Sequence, residues 1–342
     1  MSELLKAFED ELQSKNFKGY WQNVQGDVYR EPVPSYEPCH WRGKDLFAAI
    51  EKAGEVVGLD LSFRRVIQLW NPSLKNGTTR TLVLNLQMLK SGEEALSHRH
   101  IAGAVRFVVK GNGARLIVEG ESFEIGEGDF ATTPSWTWHD HENNSGQTML
   151  WLDGLDSPLV RLLETDFHEP DPRKKQTVNK PEGYSASTLG ALRPSWMRAH
   201  SLQPPAFAYK WADTEKALNK VGEQPGDPYD GIVLDYANPL TGGPTLPTMS
   251  CQIHMLRSGE KTKSHRHTSS TIYYVHRGSG VSTIGDKRYE WEQGDSFVVP
   301  LWYHHHHENT AKDPANFFVM SDKPLMDAIG HYREQALDTG TP

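Results

Sequence analysis

Short apolar runs separated by glycine-containing turns dominate the chain. In the stretch VRFVVKGNGARLIVEGESFEIGEGDFATTP, which starts at Val105, polar and apolar residues roughly alternate, and many of the apolar ones are β-branched or aromatic. Alternation with a period of two is typical of strands with one buried face, and regularly spaced turns are typical of sandwiches and barrels. The pattern therefore predicts an all-β protein.

The same pattern occurs twice. SGEEALSHRH, ending at His100, matches SGEKTKSHRH, ending at His267, and the segments 127–143 and 293–309 match as well. The offset stays at 166 or 167 residues, so duplication of one structural unit explains it. We predict a helical and loop-rich N-terminal region (1–60), followed by an N-terminal domain (61–164) and a linker (165–230). A C-terminal domain (231–330) and a tail (331–342) complete the chain.

The parts outside the repeats predict little chemistry. Residues 1–17 have apolar side chains near helical spacing, which predicts a peripheral amphipathic helix, and they lack the charged start and apolar run of a signal peptide. No apolar run approaches the roughly 20 residues that a membrane helix needs. The Gly111-Asn112-Gly113 motif looks like a nucleotide loop, but no helix pattern follows it, so we predict a turn.

Charge and cysteine content narrow the setting. The chain has 36 Lys and Arg against 44 Asp and Glu, a formal charge of −8 with neutral histidines, so nucleic acid is not an expected partner. Cys39 and Cys251 are far apart and show no metal-ligand spacing. This fits a reducing compartment, and we expect the protein in the cytoplasm.

Histidines provide the candidate chemistry. His98 and His100 are two residues apart, so on a strand both point to one face and can share a metal ion. His139, on a later strand, is the expected third ligand. Three imidazoles leave positions open on an octahedral ion, which suits an oxygen-activating iron better than a closed structural zinc. A lone histidine would be an ordinary residue, but this pattern recurs, with a possible second metal set at His265, His267 and His305.

The two units match the cupin pattern. Many cupins carry a glutamate ligand four residues after the second histidine, whereas this chain has Ala104 and Thr271 there. The resulting three-histidine site resembles the gentisate 1,2-dioxygenase and salicylate 1,2-dioxygenase family. That resemblance covers both units and most of the chain, and it implies a bicupin of two jelly-roll barrels, Fe(II), O2 as co-substrate and a homotetramer. The matching segments include FRRVIQLWNPSL, VRFVVKGNGA, TPSWTWHDHENNSG and WLDGLDSPLV.

The resemblance also implies roles around the first metal site. It assigns the working iron to the N-terminal unit, and the substrate carboxylate to two arginines. Family members commonly read something like WAGLQ where this chain reads VLNLQ, so the exact ring substituents stay open. The implied positions are Arg64 and Arg106 for the carboxylate, Gln87, His141 and Trp151 in the pocket, Asp153 behind it, and Val83 and Asn85 at the altered segment.

Strand periodicity supports part of this assignment. Arg106 follows His100 by six residues, so on a strand it faces the metal. Arg64 and Arg65 cannot both face inward, and one of them is expected to be a solvated or interface charge.

Three further positions have alternative explanations. His141 fits either a donor to the substrate hydroxyl or a solvent-facing residue. Asp153 fits either a partner of an imidazole or arginine, or a surface carboxylate. Trp151, like other tryptophans of this unit, also fits a core position.

The expected reaction is oxidative ring cleavage of gentisate, salicylate or a substituted salicylate such as 5-nitrosalicylate, with 1-hydroxy-2-naphthoate as an alternative. The bond between the carboxyl-bearing and hydroxyl-bearing carbons would break. In the second unit Tyr273 occupies the place of Arg106, so a metal there is expected to be structural or vestigial. Competing hypotheses are a metal-dependent isomerase or decarboxylase, and a metal-binding bicupin without catalysis.

Overall fold

A computed structural model describes residues 2–22, 30–62, 64–189 and 204–337. The chain forms two compact units, residues 1–35 and 36–342. The first unit contains helix α1 (Glu3–Ser14), as the sequence predicts, and a 3-10 helix at Tyr20–Gln22. Ser2 caps α1 by accepting a hydrogen bond from the Leu5 amide, which satisfies a donor that the first helical turn leaves open.

The second unit contains both copies of the repeat. It begins with three short elements, which are β1 (Cys39–Trp41), α2 (Gly43–Val56) and α3 (Leu59–Ser62). The first repeat then contributes nine strands, and each is only four to eight residues long because turns interrupt the alternating pattern. They are β2 (Arg65–Gln68), β3 (Val83–Leu89), β4 (Glu93–His100), β5 (Ala104–Lys110), β6 (Asn112–Val118), β7 (Glu121–Gly126), β8 (Phe130–Thr133), β9 (His139–Asn143) and β10 (Met149–Leu155).

The segment between the repeats has regular structure of its own. It runs through α4 (Ser157–Leu162), β11 (His168–Pro170), α5 (Tyr184–Thr188), β12 (Ala208–Tyr209) and α6 (Trp211–Val221). The second repeat then adds β13 (Ile232–Asp235), β14 (Ser250–Leu256), β15 (His265–His267), β16 (Thr271–Arg277), β17 (Ser279–Ile284), β18 (Lys287–Glu292), β19 (Ser296–Val299), β20 (His305–Asn309), β21 (Ala315–Ser321), α7 (Lys323–Ala328) and β22 (Glu334–Ala336).

Each repeat forms a barrel from one six-stranded and one five-stranded sheet. The N-terminal barrel has the strand orders β12-β8-β5-β10-β3-β2 and β11-β4-β9-β6-β7. The C-terminal barrel has β1-β19-β16-β21-β14-β13 and β18-β17-β20-β15-β22. This mostly-β, two-barrel architecture confirms the predicted fold class.

Two edge strands are exchanged between the repeats. β1 precedes the first repeat in the chain but pairs with β19 of the C-terminal barrel. β12, which precedes the second repeat, pairs with β8 of the N-terminal barrel. Each six-stranded sheet is therefore completed by a strand that leads into the other barrel.

The outer faces of the two six-stranded sheets share one apolar core. Phe107 of β5 stacks on Phe318 of β21, with ring centroids 4.6 Å apart. Two buried aspartates add cross-links between the barrels: Thr81 donates to Asp322 at 2.6 Å, and Thr248 donates to Asp156 at 2.5 Å. Within the described residues, no helix is long and apolar enough to cross a membrane.

Candidate metal centre and substrate pocket

Strand pairing brings the first three histidines together. His98 and His100 share one face of β4, and His98 lies directly opposite His139 of β9. The ring centroid of His98 lies 5.4 Å from that of His100 and 4.2 Å from that of His139. The ring centroids of His100 and His139 are 4.9 Å apart. One ligand atom from each of the three lies within 4.8 Å of the others, a separation that a single cation can bridge.

Backbone carbonyls orient the three rings. The Nδ1 atoms of His98, His100 and His139 lie 2.9, 2.7 and 2.9 Å from the carbonyl oxygens of Leu96, Ala102 and Thr137. A carbonyl only accepts hydrogen bonds, so each Nδ1 carries the proton and each Nε2 carries the lone pair that a metal needs.

Burial keeps these imidazoles neutral. It lowers the pKa of His98 to about 2 and that of His100 to about 4, and it also lowers the pKa of His139. Neutral imidazole is the ligating form. The Nε2 of His139 is buried without a hydrogen-bond partner in the described structure, which fits a ligand atom reserved for a metal.

Two guanidinium groups border the three histidines. The Arg64 Nη2 lies 2.7 Å from the Nε2 of His98. Burial lowers the pKa of Arg64 to about 10, so this side chain remains a cation at neutral pH. Arg106 is also buried and forms an ion pair with Asp153, with 3.1 Å between Nε and Oδ1. The region beside the metal-ligand atoms is therefore positively charged and suited to an anion.

Strand register places the remaining predicted pocket residues on the same inward face. Asp153 of β10 lies opposite Arg106 on one side and Asn85 on the other. Trp151 lies opposite Gln87. Because directly opposite residues in an antiparallel pair point to the same side, all five side chains face the barrel interior. Val83, opposite Leu155, continues this face at the end of β3.

Gln87 and His141 have the features of a ligand pocket. His141 is 2% exposed and its ring is 5.2 Å from that of Trp151, so it is not a solvent-facing residue. Burial also lowers its pKa. Both ring nitrogens of His141 and both amide atoms of Gln87 are buried without a hydrogen-bond partner in the described residues. Such groups cost about 1–3 kcal/mol each, so a bound molecule or water is expected to satisfy them.

Asp153 is likewise inside the barrel and is not a surface carboxylate. Burial raises its pKa, and the guanidinium groups of Arg106 and Arg64 oppose that rise. The counter-ion role of Asp153 rests on geometry, because its Oδ1 lies 3.1 Å from the Nε of Arg106 and the two side chains form a buried ion pair.

Arg65 differs from the expected solvated or interface charge. It points away from the metal site and is 7% exposed, with Nη1 2.6 Å from a Glu93 carboxylate oxygen and Nε donating to the Val57 carbonyl. The sequence correctly predicts that Arg64 and Arg65 face opposite ways. It does not show that the outward arginine is buried beneath helix α2.

Two residues near the site were missed by the sequence reasoning. Thr133 accepts a hydrogen bond from Arg106 and so fixes the guanidinium from a second direction. His168, on β11, lies opposite His100, and its ring is 5.3 Å from that of His98. Its position in the proline-rich HEPDP segment carries no strand periodicity that could reveal it.

Three comparisons with known proteins agree with this geometry. A family model described as "Cupin domain" matches residues 85–154 and 252–321. The chain is 37% identical to a 5-aminosalicylate 1,2-dioxygenase of Comamonas sp., covering 97% of this chain and 90% of that one. It is 36% identical to gentisate 1,2-dioxygenase 1 of Aquipseudomonas alcaligenes, covering 96% and 95%.

A solved structure shows the same fold. The crystal structure of a salicylate 1,2-dioxygenase from Pseudoaminobacter salicylatoxidans, with gentisate, superposes with a TM-score of 0.90 at 29% identity, covering 99% of this chain and 95% of that one. The predicted family resemblance is confirmed. The chain therefore belongs to the gentisate and salicylate 1,2-dioxygenase family of bicupins, whose members are ring-cleaving oxidoreductases.

Proposed function

We propose that the N-terminal barrel binds Fe(II) through His98, His100 and His139 and uses O2 to open the ring of a 2-hydroxybenzoate. Gentisate and 5-aminosalicylate, on which the two relatives act by name, are the first candidates. The observation that carries the proposal is the pair of guanidinium groups beside three converging imidazoles. This arrangement provides a cation site and a carboxylate site side by side inside one barrel.

The ion, when bound, would supply the coordination positions at which O2 and the substrate oxygens are activated. The protein supplies the remaining parts. Arg64 and Arg106 hold the substrate carboxylate, which fixes the adjacent ring carbon and its hydroxyl next to the metal ligands. His141 faces the same cavity, and we propose that it donates to the 2-hydroxyl oxygen or moves its proton.

Residues on β3 determine which substituted ring is accepted as substrate. Val83 and Asn85 lie on the inward face at the start of β3, and we propose that together with Gln87 they contact the ring substituents. Trp151 is fully buried, and its ring lies 5.2 Å from that of His141. Burial of the site also keeps bulk water away from the opened ring.

Oxygen uptake tests this function. The protein is reconstituted with Fe(II) under anaerobic conditions and mixed with oxygenated buffer and gentisate, salicylate, 5-aminosalicylate, 5-nitrosalicylate or 1-hydroxy-2-naphthoate. We expect stoichiometric O2 consumption with at least one of these acids and none with benzoate, which lacks the hydroxyl group. His98→Ala should abolish uptake, whereas His265→Ala, its counterpart in the other barrel, should retain it.

Two outcomes would contradict the proposal. Loss of uptake in His265→Ala with retention in His98→Ala would move the reaction to the other barrel. Conversion of a phenolic acid without O2 consumption would favour an isomerase or decarboxylase. We also propose, from the family resemblance, a cytoplasmic homotetramer, and light scattering on the purified protein checks the subunit number.

A further inference from the structure

The C-terminal barrel contains a second set of converging imidazoles. The ring centroid of His265 lies 5.4 Å from that of His267 and 4.4 Å from that of His305. The ring centroids of His267 and His305 are 5.0 Å apart. The Nε2 atoms of His265 and His305 are 2.9 Å apart. All three residues are buried. The geometry thus closely repeats that of the N-terminal set.

The residues around this second set differ in charge from those around the first. The registers Arg65↔Met88 and Ile232↔Met255 make Gly231 the counterpart of Arg64. Tyr273 lies opposite Val319, as Arg106 lies opposite Asp153. Both guanidinium groups of the first site are therefore replaced by residues without charge.

Carboxylates occupy the second site instead. Asp230 has a 25% exposed side chain, and its Oδ1 lies 3.9 Å from the Nδ1 of His254. Glu334 of β22 lies with Oε1 3.0 Å from the Nδ1 of His265. In the first site the corresponding Nδ1, that of His98, lies 2.9 Å from the Leu96 carbonyl and 3.0 Å from the Nη2 of Arg64.

These two acids would act on a cation in different ways. A carboxylate that accepts the Nδ1 proton of a ligand histidine orients the ring and increases its basicity, which strengthens metal binding. Asp230 is outside the group of ligand atoms that converge within 4.8 Å, so it adds negative charge near the ion and no bond to it. Three imidazoles and a water molecule would complete the four-coordinate arrangement that zinc favours. Both acids disfavour the binding of a hydroxybenzoate, because their negative charges repel its carboxylate.

We propose that the C-terminal barrel contains a second metal centre, in which His265, His267 and His305 bind a zinc-type divalent cation and Glu334 supports His265. This centre stabilises the barrel and takes no aromatic acid. It goes beyond the proposed ring cleavage and does not depend on it. The two barrels would then use the same duplicated set of three histidines for different purposes. The charges of the neighbouring residues determine whether the set serves catalysis or only holds a structural ion.

Metal stoichiometry tests the second centre without substrate or oxygen. The full chain is loaded with Zn²⁺, dialysed against a weak chelator and analysed by elemental mass spectrometry. We expect two ions per wild-type chain, and one in either His98→Ala or His265→Ala. Glu334→Gln should lower the affinity for the second ion by about 10–100-fold. Asp286→Asn, at an exposed turn of the same barrel, should retain both ions with unchanged affinity.

Cobalt spectroscopy reports the coordination number of the second site. His98→Ala loaded with Co²⁺ retains only the second site, and four-coordinate cobalt absorbs visible light far more strongly than six-coordinate cobalt. We expect intense bands that are lost when His265→Ala is added. One ion per wild-type chain, lost in His98→Ala but kept in His265→Ala, would overturn the second centre. Unchanged affinity in Glu334→Gln would overturn the support of His265, and neither result would bear on oxygen uptake by the first site.

Discussion

The ion pair between Arg106 and Asp153 offers a sharp test of how the N-terminal site is held together. The two side chains are 2% and 7% exposed, and Nε and Oδ1 are 3.1 Å apart. With an effective dielectric constant of about 20, Coulomb's law gives about 5 kcal/mol of attraction at that distance. Asp153→Asn removes this attraction and leaves a guanidinium buried without its counter-ion.

The expected cost is large for a single isosteric substitution. Breaking one partner of a buried pair typically lowers the free energy of unfolding by about 3–5 kcal/mol. The matched control is Glu124→Gln in the same barrel, because Glu124 and Arg115 are 3.9 Å apart and about half exposed. Its effect should stay below about 1 kcal/mol. Calorimetry and guanidinium titration of the metal-loaded proteins measure both changes.

A double-mutant cycle decides whether the cost comes from the unpaired charge. Adding Arg106→Met to Asp153→Asn removes the buried cation, so the double variant should be more stable than Asp153→Asn alone. Activity should not recover, since the carboxylate clamp is lost. Additive destabilisation, or an Asp153→Asn variant as stable as the wild type, would show that Asp153 is not ionised in the folded protein and would refute the counter-ion role.

Two further predictions concern the contact between the barrels. Burial raises the pKa of Asp322 from 3.8 to about 6, so this carboxyl group binds its proton more tightly in the folded protein than in the unfolded chain. The free energy of unfolding should therefore fall by about 2 kcal/mol as pH rises from 4 to 6. Asp322→Asn should flatten that part of a denaturation-versus-pH curve, and an unchanged slope would count against it. Phe107→Ala should cost about 3–5 kcal/mol and lower a single calorimetric transition for both barrels, unlike the control Leu162→Ala on the exposed side of α4. Separate transitions for the barrels would show that they do not share one core.

The metal ligands could be predicted because their signal is local. His98 and His100 must share a face wherever they form a strand, and duplication supplies a second copy of the pattern. Arg106 does face inward, but it lies on β5 and His100 ends β4 in the other sheet, so the alternation behind that prediction does not run unbroken between them. Family resemblance added Gln87, Trp151 and Asp153, and strand register places Asp153 opposite Arg106 and Trp151 opposite Gln87.

The remainder depends on contacts between distant segments, which no local pattern encodes. Asp230 lies in a turn-rich stretch, and only the folding of β13 onto β14 brings it close to His254. Glu334 reaches His265 through a three-residue strand, which is too short for any periodicity to be read. The segment 165–230 appears as a linker in the sequence because its strands are two or three residues long.

The exchange of β1 and β12 means that neither repeat is a self-sufficient module. A fragment cut between the repeats would strip β19 of the partner that covers it, or leave β8 bare at the rim of its sheet. Such uncovered strands invite pairing with other chains. Gene duplication here produced two halves that have since become mutually dependent, so the second barrel cannot be deleted without exposing strand edges in the first.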